Sequence, residues 1–275
     1  MTVVVDAHHH FWTADYPWLA GEGLERIRRD YTMADLRPHL EATGVHRTVL
    51  VEGGRCDSAE TTAFLALAAA TPEIAGVVGW AALSDPDLAA TLERHRRGPG
   101  GPLLAGVRDQ VQAGPDDLLD QPEVRAGLST VASAGLVNEL VVRAGQLPSV
   151  ARAVAALPEA TFVLDHLGKP PIAAGPVRRW RESIAPVARH PNVVAKLSGL
   201  VTEAGPGWTA AGLRPYVETA CELFGPHRLM FGSDWPVCEL VATYEQVTAV
   251  LSAILGGRPA GIFGRNAARV YRLEL

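Results

Sequence analysis

Val3-Val4-Val5-Asp6-Ala7-His8-His9-His10-Phe11-Trp12 (VVVDAHHHFW) sets three histidines directly behind an apolar run near the start of a 275-residue chain. An affinity tag runs longer and is not framed by a valine strand and an aromatic pair. The run reads as a β-strand, whose side chains alternate between faces. On that reading Asp6, His8 and His10 share one face and His9 takes the other. Two imidazoles two residues apart on one face can bind one cation or polarise one substrate oxygen. His9 is better read as packing or solvent-facing. An H-x-H pattern is short, so its meaning depends on where the strand sits.

The run is the first of eight. TVVVDAHHHF, RTVLVEGG, VVGWAAL, LLAGVRDQ, LVNELVVR, TFVLDHLG, NVVAKLSG and RLMFGSDW recur at near-regular spacing, separated by helical patterns such as AETTAFLALAAA, PEVRAGLSTVASAG and LPSVARAVAAL. Most of the eight are apolar throughout, as expected of strands covered on both faces. Strand–helix alternation repeated eight times predicts an α/β fold, a single (β/α)8 TIM barrel over residues 1–275. Three Pro/Gly-rich stretches, RRGPGGP (96–102), GKPPIAAGP (168–176) and TEAGPGW (202–208), read as turns rather than linkers. The first precedes a strand and belongs at the barrel bottom. The other two follow strands and belong at the mouth.

Composition narrows the function. With 48% hydrophobic and 20% charged residues, the chain has the makings of a sizeable core. A net charge of −5 argues against a nucleic-acid partner. The longest apolar stretch, Phe64 to Ala70, is far too short to span a bilayer, and Met1-Thr2 runs straight into the first strand with no signal peptide. Cys56, Cys221 and Cys238 have neither zinc-type spacing nor an even count for disulfides, which suits a reducing cytoplasm. Oligomeric state is not legible, and a homo-oligomer is compatible with all of this.

A TIM barrel collects its chemistry at the C-terminal ends of its strands. There stand His8 and His10, Glu52, Arg108 and Asp109, Glu139 and Arg143, Asp165 and His166, Lys196 and Ser198, and Ser233 and Asp234. Arg108 and Arg143 offer guanidinium forks for a carboxylate or hydroxyls. Trp12, Trp18, Trp80, Trp208 and Trp235 fall at or beyond strand ends, where indoles either line a pouch for a sugar-like ring or pack loops onto the barrel. Lys196 reads as the partner of a neighbouring acid. Cys56 and Cys238 lack a placed base and are not read as nucleophiles.

The motifs DAHHHFW, YPWL, VLVEGG, VVGWAAL, GVRDQ, FVLDHLGKPPI, KLSGLVTEA and FGSDWPVCEL, in this order from Asp6 to Leu273, resemble the amidohydrolase-2 family. Within it the chain is most similar to the sugar-lactonase branch, typified by L-fuconolactonase and L-rhamnono-lactonase. The resemblance implies a distorted TIM barrel that hydrolyses small organic rings, with lactones as the expected substrates. It makes His8 and His10 the first-strand pair, His166 the sixth-strand histidine and Asp234 the general base. Ester chemistry asks for the same parts: an activated water and a group that stabilises the oxyanion. His8, His10, His166 and Asp234 also form a plausible ligand set for one zinc or manganese ion. The family includes members that work without a metal. Glu52, Arg108, Arg143 and the tryptophans Trp12, Trp18, Trp80 and Trp235 are the expected substrate-binding residues.

Three positions depart from the branch. Gly106-Val107-Arg108-Asp109 stands for G-[IV]-R-H, Val51-Glu52 for V-Q, and Glu139 for an aspartate. The added acids predict an acidic mouth that favours a neutral or amine-bearing ring over a dicarboxylate. A metal-dependent decarboxylase and a barrel kept only for binding are the alternatives, and the complete His8, His10, His166 and Asp234 set argues against the latter.

Overall fold

All eight apolar runs form strands: β1 (Val5–His9), β2 (Arg47–Val51), β3 (Ile74–Trp80), β4 (Leu104–Asp109), β5 (Val137–Leu140), β6 (Phe162–Leu164), β7 (Val193–Leu197) and β8 (Leu229–Phe231). The computed structural model describes residues 3–175 and 177–275. Met1, Thr2, which begins the first run, and Pro176, which ends the 168–176 stretch, lie outside them. Each strand pairs in parallel with the next, in the order β1 to β8. Beyond β8 the chain returns to β1: Asp234 N–H donates to the His8 carbonyl (2.8 Å) and His10 N–H to the Trp235 carbonyl (2.7 Å). The barrel is joined where the candidate catalytic residues stand.

Helices fill the connections: α1 (Met33–Thr43), α2 (Ser58–Ala69), α3 (Leu88–Arg97), α4 (Pro122–Ser133), α5 (Leu147–Ala156), α6 (Val177–Ala188), the short α7 (Leu200–Ala204), α8 (Ala210–Phe224), α9 (Tyr244–Ile254) and α10 (Asn266–Tyr271). None of the described helices is long and apolar enough to cross a membrane. Two apolar layers explain the unbroken apolar runs. Val5, Ala7, Val49, Val51, Val78, Val137, Val163, Val194 and Met230 pack together inside, against Ala267, Val270 and Tyr271 of α10. The intervening strand residues, Leu50, Val77, Val107, Leu140, Phe162, Leu164 and Leu197 among them, join the larger layer under the helices. Each fully buried valine contributes about 2 kcal/mol by leaving water.

Strict alternation fails in β1. The pairing with β2 shifts register between Asp6 and His9, so two successive residues turn inward: Ala7 joins the interior layer and His8 the polar cluster above it. Such a bulge re-aims side chains. Asp6 therefore does not share a face with His8 and His10. Its carboxylate accepts from the Tyr244 hydroxyl of α9 (3.0 Å) and from the His8 and Ser233 amides. His9 faces outward as expected and meets the Thr48 hydroxyl at 3.0 Å.

Candidate active site

A cavity of about 450 Å³ opens at the C-terminal ends of the strands, lined by His10, Trp18, Arg108, His166, Lys169 and Asp234 among others. A larger cavity of about 770 Å³ lies at the opposite end, between Arg47, Pro102, Thr161 and Arg272. Its walls hold none of the clustered histidines, and barrel chemistry belongs at the strand C-termini.

Four side chains converge at the upper cavity, His10, His166 and Asp234 on its wall and His8 fully buried against them. The Nε2 atoms of His8 and His10 lie 3.1 Å apart. Asp234 Oδ1 stands 3.6 Å from His8 Nε2, 3.5 Å from His10 Nε2 and 3.8 Å from His166 Nε2. All four residues are at most 5% exposed. His166 and Asp234 both hold positive φ (52° and 58°). That region costs a non-glycine residue about 1–2 kcal/mol, strain of the kind that gathers at functional sites. Glycines make room: a Cβ on Gly199 would lie 2.6 Å from His166 Nδ1, and one on Gly232 would lie 2.7 Å from the His8 Cβ.

The proton positions follow from the partners. His10 Nδ1 meets the Val51 carbonyl at 3.0 Å. A carbonyl only accepts, so Nδ1 carries a proton and Nε2 is the nitrogen turned toward His8 and Asp234. His166 Nδ1 meets the Ser198 hydroxyl at 2.9 Å, and burial lowers its pKa to about 4, against the pull of Asp234, so the ring is neutral near pH 7. Burial and then the Lys196 charge hold His8 well below the usual imidazole range. Burial alone would raise the Asp234 carboxyl, but His166, His10 and Lys169 outweigh it, leaving the pKa low and the group ionised.

Beneath the histidines lies a buried charge network. Lys196 Nζ sits 2.6 Å from Glu139 Oε1, 3.1 Å from Asp165 Oδ1 and 2.9 Å from His8 Nδ1. Lys196 is thus the acid-paired lysine its sequence position suggested. Tyr271 of α10 donates to the other Glu139 oxygen. Burial and the neighbouring Asp165 push the Glu139 carboxyl up to about 7, against Lys196 and Arg108. Burial would also raise Asp165, but Lys196, His8 and Arg108 hold it well below the usual range.

Arg108 spends its fork inside the protein, on Glu52 Oε1 (2.6 Å), the Glu52 carbonyl (2.8 Å) and Asp165 Oδ2 (2.9 Å). Glu52 is fully buried and also accepts from Gln110 (2.5 Å) and the Gly54 amide (2.7 Å). The expectation that Glu52 and Asp109 make the mouth acidic is therefore corrected. Arg108 neutralises Glu52, and Asp109 turns its carboxylate onto the Leu83 amide (2.9 Å). Arg143, expected to bind substrate, is exposed and paired with Asp116 (3.2 Å) away from the cavity. Of the tryptophans, Trp18 alone lines the cavity among the described residues. Trp12 sits behind His10, ring centroids 6.3 Å apart, with its N–H on the Ile27 carbonyl. Trp235 is wholly buried and bonds Glu239, Trp208 bonds the Val241 carbonyl, and Trp80 is absent from the cavity wall. Lys169, Gln110, Gln112, Thr202 and Glu203 line the cavity without having been singled out. They follow β4, β6 and β7, and the rule that such loops build the mouth would have found them.

The donor set accommodates one divalent ion. His8, His10 and Asp234 each place a ligand atom within 4.8 Å of the others, and His8, Asp165 and His166 form a second such group sharing His8. Asp165 Oδ1 is buried with no aligned hydrogen bond and lies 3.3 Å from His8 Nδ1. Lys196 and Arg108 bring positive charge close by, which weakens cation binding.

The amidohydrolase family profile matches residues 5–273. The chain is 36% identical to an L-fucono-1,5-lactonase of Burkholderia ambifaria, over all of this chain and 97% of that one. It is 38% identical to an L-fucono-1,5-lactonase of Burkholderia multivorans, over 98% and 96%. The crystal structure of an amidohydrolase from Burkholderia multivorans with bound zinc superposes with a TM-score of 0.91 at 37% identity, covering 99% of this chain and all of that one.

Proposed function

This chain belongs to the amidohydrolase family, and from that premise we propose that it hydrolyses a small, neutral, sugar-type lactone. The observation that carries the proposal is the Asp234 carboxylate held within 3.5 Å of His10 Nε2, 3.6 Å of His8 Nε2 and 3.8 Å of His166 Nε2 at the cavity. Asp234 accepts a proton from water, whose oxygen attacks the ring carbonyl. His8, whose Nδ1 accepts from Lys196, carries its proton on Nε2, and this N–H together with that of His166 Nε2 donates to the oxygen on which charge develops. Collapse breaks the ring C–O bond, and the proton held by Asp234 goes to the leaving alkoxide. The hydroxy acid then ionises, so one proton is released per turnover near neutral pH. A carboxylate held below its usual pKa is a weak base, suited to a lactone rather than an amide, whose nitrogen leaves far less readily.

A single zinc or manganese ion would be held by His8, His10, His166 and Asp234, and would supply further polarisation of the carbonyl. Arg108 and the Lys196–Glu139–Asp165 cluster orient His8 from beneath. Trp18 offers its indole to the apolar face of the ring.

The test is a panel of neutral γ- and δ-lactones of five- and six-carbon sugar acids beside aromatic carboxylic acids, followed by indicator dye and by carbon dioxide release. Opening of a sugar lactone is expected. Gas release without ring opening would replace the lactonase with a decarboxylase.

A further inference from the structure

Three polar side chains of the cavity wall are left unspent by the chemistry above. Lys169 Nζ donates to Gln112 Oε1 at 2.5 Å, and no carboxylate among the described residues lies within ion-pair distance of it. Gln112 is itself fixed: its amide donates to Gln110 (3.0 Å), whose amide donates to Glu52 (2.5 Å). This chain of donors ends on an anion and sets which way each amide points, so the ammonium is held in place with hydrogens to spare. Thr202 Oγ1 is buried without a hydrogen-bond partner. The Glu203 carboxylate has neither a hydrogen bond nor an ion pair among the described residues. All three line the cavity that holds Asp234 and His166. The backbone ties them together, since the Ala173 amide of the loop after β6 donates to the Glu203 carbonyl of α7 (3.2 Å).

Polar groups withdrawn from water without partners are costly, so a ligand that pairs them is favoured and one that cannot is rejected. A fixed ammonium donates, a carboxylate accepts, and a hydroxyl does either. Neighbouring hydroxyl groups on a ring answer all three at once, each oxygen accepting from Lys169 or Thr202 while its hydrogen goes to Glu203. A ring carrying a carboxylate would satisfy Lys169 but meet repulsion from Glu203 and Asp234. An unsubstituted ring would leave the wall unpaired. We propose that Lys169, Thr202 and Glu203 form a polyol-recognition wall that selects rings bearing adjacent hydroxyls. The identity of the ring as a lactone rests on the hydrolytic reading above; the recognition of its hydroxyls does not.

The experiment is calorimetric binding of a polyhydroxylated six-membered lactam, its unsubstituted counterpart and a carboxylated one to the wild type, Lys169→Met and Glu203→Gln. Circular dichroism checks the fold of each protein. The wild type should favour the polyhydroxylated lactam at least about tenfold, and each substitution should cut that preference about tenfold, the worth of a charged hydrogen bond. Full preference retained in both variants, or no preference in the wild type, would overturn the wall. So would loss confined to the carboxylated lactam in Lys169→Met, which would mark an anion site. Turnover of the matching lactones is followed in parallel. A hydroxyl preference that responds to both substitutions, with no lactone opened, would support the wall and overturn the hydrolytic reading instead.

Discussion

Burial decides what each acid of the site can do. Glu52 was legible as an acid at a strand end, but not as the buried partner of Arg108, because the sequence does not show which way its side chain turns. Removing one member of a buried ion pair strands the other, at a cost of about 3 kcal/mol or more. Glu52→Gln should therefore lower the unfolding free energy in denaturant titrations by about 3 kcal/mol, since it leaves Arg108 only Asp165 for its charge. A loss within about 0.5 kcal/mol, ordinary for a surface change, would mean that Arg108 is not held by Glu52. The same crowding of charge governs the metal. With Lys196 2.9 Å from one His8 nitrogen and Arg108 3.5 Å from the other, elemental analysis after gentle purification should find at most one equivalent of divalent ion. His8→Ala should reduce that occupancy. Two equivalents would require ligands outside the His8, His10, His166 and Asp234 set.

Elements place these residues, and some elements carry titrating groups of their own. Helix α2 brings Glu60 under the first loop, where its carboxylate accepts from the Tyr16 hydroxyl (2.6 Å) and the Gly53 amide (3.1 Å) while Oε2 finds no partner. Burial, then the charge of Glu52, pushes its pKa up to about 7. The unfolded chain releases that proton near 4.5, so the folded state loses stability as pH rises from about 4.5 to 7, by about 2–3 kcal/mol. His166 runs the other way. Its pKa of about 4 lies below the unfolded value of 6.5, so stability is lost as pH falls through that window. Glu60→Gln should remove the first loss and leave the second. Its unfolding free energy should therefore gain on the wild type as pH rises from 5 to 7. Parallel profiles for the two proteins over that range would contradict the assignment.

For the molecule as a whole, the order of eight apolar runs with helical spacers was enough to read the barrel. The clustering of His8, His10, His166 and Asp234 followed from the placement of barrel chemistry at strand ends. The β1 bulge was not legible, because Val3–Trp12 reads equally well as a regular strand and the register shift is set by pairing with β2. The tryptophans misled for a related reason: a strand-end indole serves loop packing as readily as ligand contact, and only Trp18 reaches the cavity. Lys169 lay in a Pro/Gly stretch read as a turn, although that stretch was assigned to the mouth. The central claim, a barrel whose Asp234 activates water against a lactone, is tested most directly by proton release from the best lactone of the panel, with wild type and Asp234→Asn side by side. The expected result is one proton per lactone opened in the wild type and a kcat lower by roughly 10²–10⁴ in Asp234→Asn, with an unchanged circular-dichroism spectrum. Equal rates from two folded proteins would contradict it.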